Sequence, residues 1–280
     1  MDAIVLSCIL VIIAISTHTV TTIANDHHAV SCNIPPELWC ADREIQKQCG
    51  TESSCASYNK TGIEKIKLGV YYEVLCPYSQ NFTRQMLFPR VWQNLAEIVD
   101  IEIVAYGNAN ETRNPDGTWS FRCQHGVDHG KTECHGNILQ NCLFHYVPDP
   151  YQFMPFVYCM EQTLHVLCYE SCTIEQIDSV AERCIENYTH ISKATTEKIV
   201  KCRDGPEGVV LMHEAAVKTG SLKPELHHHV PWITVNGIST AAAQPFRYVL
   251  DHFVCRNYHS ATPMPPKSAK YCSRKVYTDC

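Results

Sequence analysis

The chain has 280 residues, 45% of them hydrophobic and 19% charged, with a formal net charge of -6 at pH 7. That composition belongs to a globular chain, excludes disorder and fibrous repeats, and leaves no basic footprint for nucleic acid. The 17 cysteines are far more than a reduced cytosolic protein of this size uses for packing, so the chain is either oxidised and exported or binds several metals.

Residues 4–15 form an apolar run broken only by Ser7 and Cys8, too short to span a bilayer and followed by small residues up to Ala24. Residues 1–24 therefore read as a signal peptide, which takes Cys8 with it. No later run approaches the length of a membrane span, so the expectation is a protein without a transmembrane segment, secreted or lysosomal. Sequons at Asn59, Asn81, Asn110 and Asn187 agree with export, and each predicts an exposed, glycosylated asparagine.

Residues 25–62 read as a small module carrying Cys32, Cys40, Cys49 and Cys55 around a helix-forming stretch at 41–48. A segment this short buries too little surface to fold without cross-links. Its Pro-rich lead, its Trp39-Cys40 pair and its two later cysteines resemble the saposin A-type module; a generic disulfide-stapled pro-region is the alternative.

From Lys65 the pattern is α/β. Ile66, Leu68, Val70, Tyr71 and Tyr72 make a buried strand, Ile101, Ile103 and Val104 a second, and residues 79–100 between them carry helix-spaced apolar positions interrupted by Pro89. Strand, helix and strand within about 40 residues is a βαβ unit. Residues from about 133 to 220 read as four or five helices. A third strand follows at 230–235, closed by Asn236-Gly237, then a helix at 241–253. The tail, 257–280, reads as extended and tied down by Cys272 or Cys280. The domain from 63 to 256 thus has a helical insertion.

Beyond the signal peptide 16 cysteines remain, without the paired CxxC elements of a zinc site; Cys168-Tyr-Glu-Ser-Cys172 is the nearest approach. The run His227-His228-His229 reads as solvated or as tuning the site in acid. The expectation is disulfides, with no metal and no cofactor.

Cys76 ends the first strand, with Pro77 at the first helical position, where a missing N–H costs nothing. Backbone N–H groups and the positive end of the helix then face the sulfur, an arrangement expected to stabilise the thiolate and lower the thiol pKa. Ser79, three residues on, shares that helical face and offers a hydroxyl to the sulfur. A cysteine at a strand-to-helix turn of a βαβ unit is a thioredoxin-like arrangement. It is strengthened by Val230-Pro231 before the third strand, where the cis form is accessible. Cys76 as nucleophile, Ser79 as its partner and Pro231 as a wall of the substrate groove are the expected site.

Tyr71-Tyr72-Glu73-Val74-Leu75-Cys76-Pro77-Tyr78, Cys123-Gln124-His125-Gly126, Glu133-Cys134-His135-Gly136-Asn137 with Cys142, and Val230 to Gly237 together resemble the gamma-interferon-inducible lysosomal thiol reductase family over residues 65 to 255. The resemblance implies a thioredoxin-like domain with a large disulfide-rich helical insertion, acting on disulfide-bonded protein substrates in lysosomes or after secretion. Two departures stand out. Val127 to Thr132 lengthen the segment between Cys-Gln-His-Gly and Glu-Cys, which a surface loop absorbs easily. More importantly, many members carry a CxxC site, whereas this chain has Cys76-Pro-Tyr-Ser79 and no resolving thiol. Release of a mixed disulfide then needs a substrate thiol or a small thiol reductant such as cysteine or glutathione. A non-catalytic secreted glycoprotein that captures cysteine-containing partners is the alternative. With Cys76 free, an odd number of cysteines is left. Cys280 is assigned to an intermolecular bond, giving a disulfide-linked homodimer, or to a remote resolving role. Gln124 and His125, beside a cysteine expected to be bridged, are read as structural.

Overall fold

A computed structural model describes residues 32–34, 40, 42–58, 65–125, 130–168, 171–258 and 262–274. The expected signal peptide, Asn59 and Cys280 lie outside the described residues.

The N-terminal module has two short helices where the sequence suggested one, α1 (Arg43–Cys49) and α2 (Glu52–Tyr58). The Asp42 side chain caps α1 by accepting from the N–H groups of Glu44 and Ile45 at 2.8 and 3.1 Å. Gly50, at φ 64°, ends α1 in the left-handed conformation that glycine adopts at least cost. Disulfides Cys32–Cys49 and Cys40–Cys55 staple the module.

The central sheet has the order β2-β1-β5. The middle strand β1 (Ile66–Tyr72) runs parallel to β2 (Val99–Ala105) and antiparallel to β5 (Trp232–Val235), with Leu68 opposite both Ile101 and Val235. Side chains alternate across β1: Leu68, Val70 and Tyr72 enter the main core with Leu87, Val91 and Leu95, while Tyr71 joins Met212 and Trp232 on the other face. Burial on both faces explains why β1 reads as a nearly continuous apolar run.

Helix α3 (Pro77–Phe82) follows β1 and continues through a π-helical stretch, Thr83–Trp92, to Leu95. Pro89 therefore does not break the helix as expected. The wider π turn accommodates a residue with no N–H, and Asn94 Nδ2 donates to the carbonyls of Pro89 and Arg90 at 2.8 and 3.0 Å. After β2 comes a hairpin missed in the sequence, β3 (Asn110–Arg113) and β4 (Trp119–Arg122), turning through Asn114-Pro115-Asp116-Gly117.

The insertion is five helices: α4 (Lys131–Tyr146), α5 (Pro150–Leu167), α6 (Ile174–Tyr188), α7 (Lys193–Arg203) and α8 (Pro206–Gly220). Disulfides Cys142–Cys202, Cys159–Cys184 and Cys168–Cys172 cross-link it, and Cys123–Cys134 ties its start to the hairpin. Two further expectations are corrected after β5. Residues 241–253 are not one α-helix: Ala241–Val249, which contains Pro245, is 3-10, and only α9 (Leu250–Asn257) is α-helical. The tail is not simply extended, since Pro266 starts a helix, α10 (Pro266–Ser273), bound to α9 by Cys255–Cys272. The whole is a thioredoxin-like domain with a large disulfide-rich helical insertion, preceded by a small disulfide-stapled module. Among the described residues no helix is long and apolar enough to cross a membrane.

Candidate active site

The loop from β1 into α3 is pinned from two sides. Gln80 Nε2 donates to the Val74 carbonyl at 3.0 Å, and the Val74 N–H donates to Asn137 Oδ1 of α4 at 3.1 Å. Gly136 lets α4 approach this closely, because a Cβ there would lie 2.7 Å from Val74 Cγ1. Residues of the Glu-Cys-His-Gly-Asn motif thus hold the loop that presents Cys76.

Cys76 is the free cysteine among the described residues. It caps α3 with extended backbone (φ -70°, ψ 119°), and Pro77 fills the first helical position. Its thiol pKa is nevertheless pushed up, not down as the sequence suggested. Burial is the largest cause, at 4% exposure, and the Glu73 carboxylate adds to it. The Ser79 and Tyr78 N–H groups and the Ser79 hydroxyl act in the opposite direction but do not prevail. The helix terminus supplies the donors that a thiolate needs; the burial that encloses them outweighs their effect on the resting thiol. Ser79 is fully buried, and its Oγ also accepts from the Glu73 N–H at 3.5 Å.

Glu73, three residues before Cys76, and His125, from a distant segment, each bring a donor atom near the sulfur, and Glu133 holds the segment that carries His125. Glu73, at the end of β1, is fully buried; burial first and the nearby Glu133 second push its carboxyl up to about 8. Its Oε1 accepts from the Asn108 N–H at 2.5 Å. Gly107, at φ 60°, makes room, since a Cβ there would overlap the Glu73 side chain. Glu133 Oε2 accepts from the N–H groups of Gln124 and His125 at 2.8 and 2.7 Å. That pinning of the backbone carries the His125 ring to within 3.6 Å of Glu73 Oε2. Nothing in the sequence pattern announces this approach to the nucleophile.

Along α3 opens a groove of about 490 Å³, lined by Tyr78, Phe82, Met86, Arg90, Pro231 and Arg247; Cys76 itself does not line it. The Val230–Pro231 bond is cis, as expected. Of the histidine run, His229 lines the groove and contacts Arg247, while His227 Nε2 lies 3.1 Å from Asn108 Oδ1. Burial pushes both imidazoles down, so neither is simply solvated. Asn81, at the groove edge, is exposed, as are Asn110 and Asn187.

A thioredoxin-like sheet that delivers one free cysteine to a helix N-terminus, inside a frame where every other described cysteine is bridged, defines the class of thiol-disulfide oxidoreductases. The family described as gamma interferon inducible lysosomal thiol reductase (GILT) matches residues 67–188. The reductase of that name from Carassius auratus is 36% identical over 234 residues, covering 83% of each chain. That from Mus musculus is 35% identical over 171 residues, covering 61% of this chain and 60% of its own. The chain belongs to the GILT family. Among solved structures, reduced DsbA from Mycobacterium tuberculosis superposes with a TM-score of 0.46 at 12% identity, covering 75% of this chain and 88% of its own.

Proposed function

We propose that the protein reduces or exchanges disulfides of protein substrates with Cys76 as a single nucleophile. The observation that carries this reading is the free Cys76 at the start of α3 with Ser79 where a second thiol would stand. The Cys76 thiolate attacks one sulfur of a substrate disulfide. A bond forms between Cys76 and that sulfur, the substrate S–S bond breaks, and the other sulfur leaves as a thiolate that takes up a proton. A small thiol such as cysteine or glutathione, or a second substrate thiol, then attacks the substrate sulfur of the mixed disulfide; a new S–S bond joins the two, Cys76 leaves and is protonated, and, for net reduction, a second small thiol releases the substrate thiol as the small-thiol disulfide forms. A raised pKa leaves few thiolates at rest but makes each one more nucleophilic, and the Ser79 and Tyr78 donors support the sulfur as charge returns to it. The groove lined by Tyr78 and Pro231 supports the reading of Pro231 as a wall of the substrate site.

The boundaries that go with this reading are a signal peptide at 1–24, an N-terminal module at 25–62 of the saposin A type, a reductase domain at 63–256 and a tail at 257–280. The location is secreted or lysosomal, with glycans on Asn59, Asn81, Asn110 and Asn187, and with Cys280 available for a disulfide-linked homodimer. A second reading, lasting capture of cysteine-containing partners, is favoured by the missing second thiol. Turnover of a denatured, disulfide-bonded protein separates the two. Wild type in excess free cysteine is expected to turn over many times and Cys76→Ala not at all; equal rates would end the enzymatic reading.

A further inference from the structure

Glu73 and His125 bring two more metal-ligand types to the sulfur, and disulfide exchange as derived above uses neither. One donor atom each from Glu73, Cys76 and His125 lies within 4.8 Å of the other two. We propose that these three residues form a binding site for a borderline-soft divalent cation of the zinc class, which reversibly blocks the nucleophile. The proposal rests on the same sulfur as the functional reading but not on turnover.

The geometry is close to what such an ion requires. Tetrahedral zinc, with bonds of about 2.0 to 2.3 Å, sets its donor atoms about 3.3 to 3.7 Å apart. His125 Nε2 and Glu73 Oε2 are already 3.6 Å apart. The carboxylate is also prepared for a ligand. The Glu73 side chain is fully buried, and the Asn108 N–H orients Oε1. Oε2, on the side facing the imidazole, makes no hydrogen bond. A buried acceptor without a donor is unfavourable, and a bound cation would relieve it. Among the described residues no lysine or arginine pairs with Glu73.

The imidazole is held in place as well. Two N–H bonds to Glu133 and the Cys123–Cys134 disulfide fix the backbone that carries it. Ligands fixed by their surroundings bind metal more tightly than mobile ones. Thiolate, imidazole and carboxylate are zinc's own ligand set, and three protein donors would leave a fourth position for water. Binding displaces the thiol proton to solvent, and a sulfur lone pair engaged with the metal is withheld from a substrate disulfide.

Cobalt(II) titration of the purified protein tests the site through sulfur-to-cobalt charge-transfer absorption, followed by zinc competition. The expected result is one equivalent of cobalt bound with that absorption, its displacement by zinc, and its loss in Cys76→Ser. Glu73→Gln and His125→Ala should each weaken zinc binding by about tenfold or more, with circular dichroism confirming that each variant is folded. No charge-transfer absorption in wild type would overturn the proposal. So would unchanged zinc affinity in both folded variants, because the sulfur alone would then hold the metal. Because absorption is read without turnover, a protein that binds cobalt but reduces nothing keeps this site and loses the functional reading; the converse result does the opposite.

Discussion

Glu161 of α5 lies fully buried, with Gln140 Nε2 donating to its Oε1 at 3.2 Å and Oε2 making no hydrogen bond. Burial pushes its carboxyl well above the usual carboxylate range, and the nearby Glu133 adds to the shift. A raised folded-state pKa means that the folded protein holds a proton the unfolded chain has lost. The group's contribution to stability is therefore complete below the unfolded value of about 4.3 and declines as pH rises toward the folded one. In that interval one retained proton corresponds to a slope of ~1.4 kcal/mol per pH unit, so Glu161 lowers stability steadily as pH rises above its unfolded value. His165, His227 and His229, pushed down by burial, act with the opposite sign near their unfolded value of about 6.5. Comparison with Glu161→Gln cancels them, and the glutamine still accepts from Gln140. Urea unfolding with the disulfides intact, at half-unit steps from pH 5.5 to 7.5, should show wild type losing stability relative to Glu161→Gln with a slope approaching ~1.4 kcal/mol per pH unit. Parallel curves would mean that burial does not hold this carboxyl neutral.

Two other substitutions address the active site. Ser79→Cys restores a second thiol three residues from the nucleophile, and acid-quenched peptide mapping should find Cys76 bridged to the introduced thiol in place of the substrate adduct; equal adduct yields in both proteins would contradict the role given to the missing thiol. Glu133→Ala leaves the Gln124 and His125 N–H groups without their acceptor, which should cost about 2 to 4 kcal/mol in urea unfolding.

The βαβ unit, the five-helix insertion and Cys76 at the strand-to-helix turn were legible because local periodicity and spacing encode them. Other features were not. The β3–β4 hairpin is four residues a side and largely exposed, so it lacks a strong apolar alternation, although Asn114-Pro115-Asp116-Gly117 is a turn signal in plain view. Pro89 reads as a breaker locally, whereas the structure absorbs it in a π-helical stretch that no pattern announces. The site was half visible. Ser79 follows from its spacing to Cys76, and the cis Val230–Pro231 bond from its place before the third strand. Glu73, His125 and Glu133 come together only through the tertiary fold, from segments far apart in the chain. An acid inside the apolar run Tyr71-Tyr72-Glu73-Val74-Leu75 was the one available hint. The expected low thiol pKa failed for a related reason, since a helix terminus can be read from sequence and the depth of burial cannot.

Whether a mixed disulfide forms on Cys76 is read directly by acid-quenching the protein with a denatured disulfide substrate and mapping the linked peptides by mass spectrometry. The expected adduct is a substrate cysteine joined to Cys76, cleared on adding free cysteine with renewed turnover. Reduction of the substrate without any adduct at Cys76, or undiminished reduction by Cys76→Ala, would contradict the single-nucleophile mechanism.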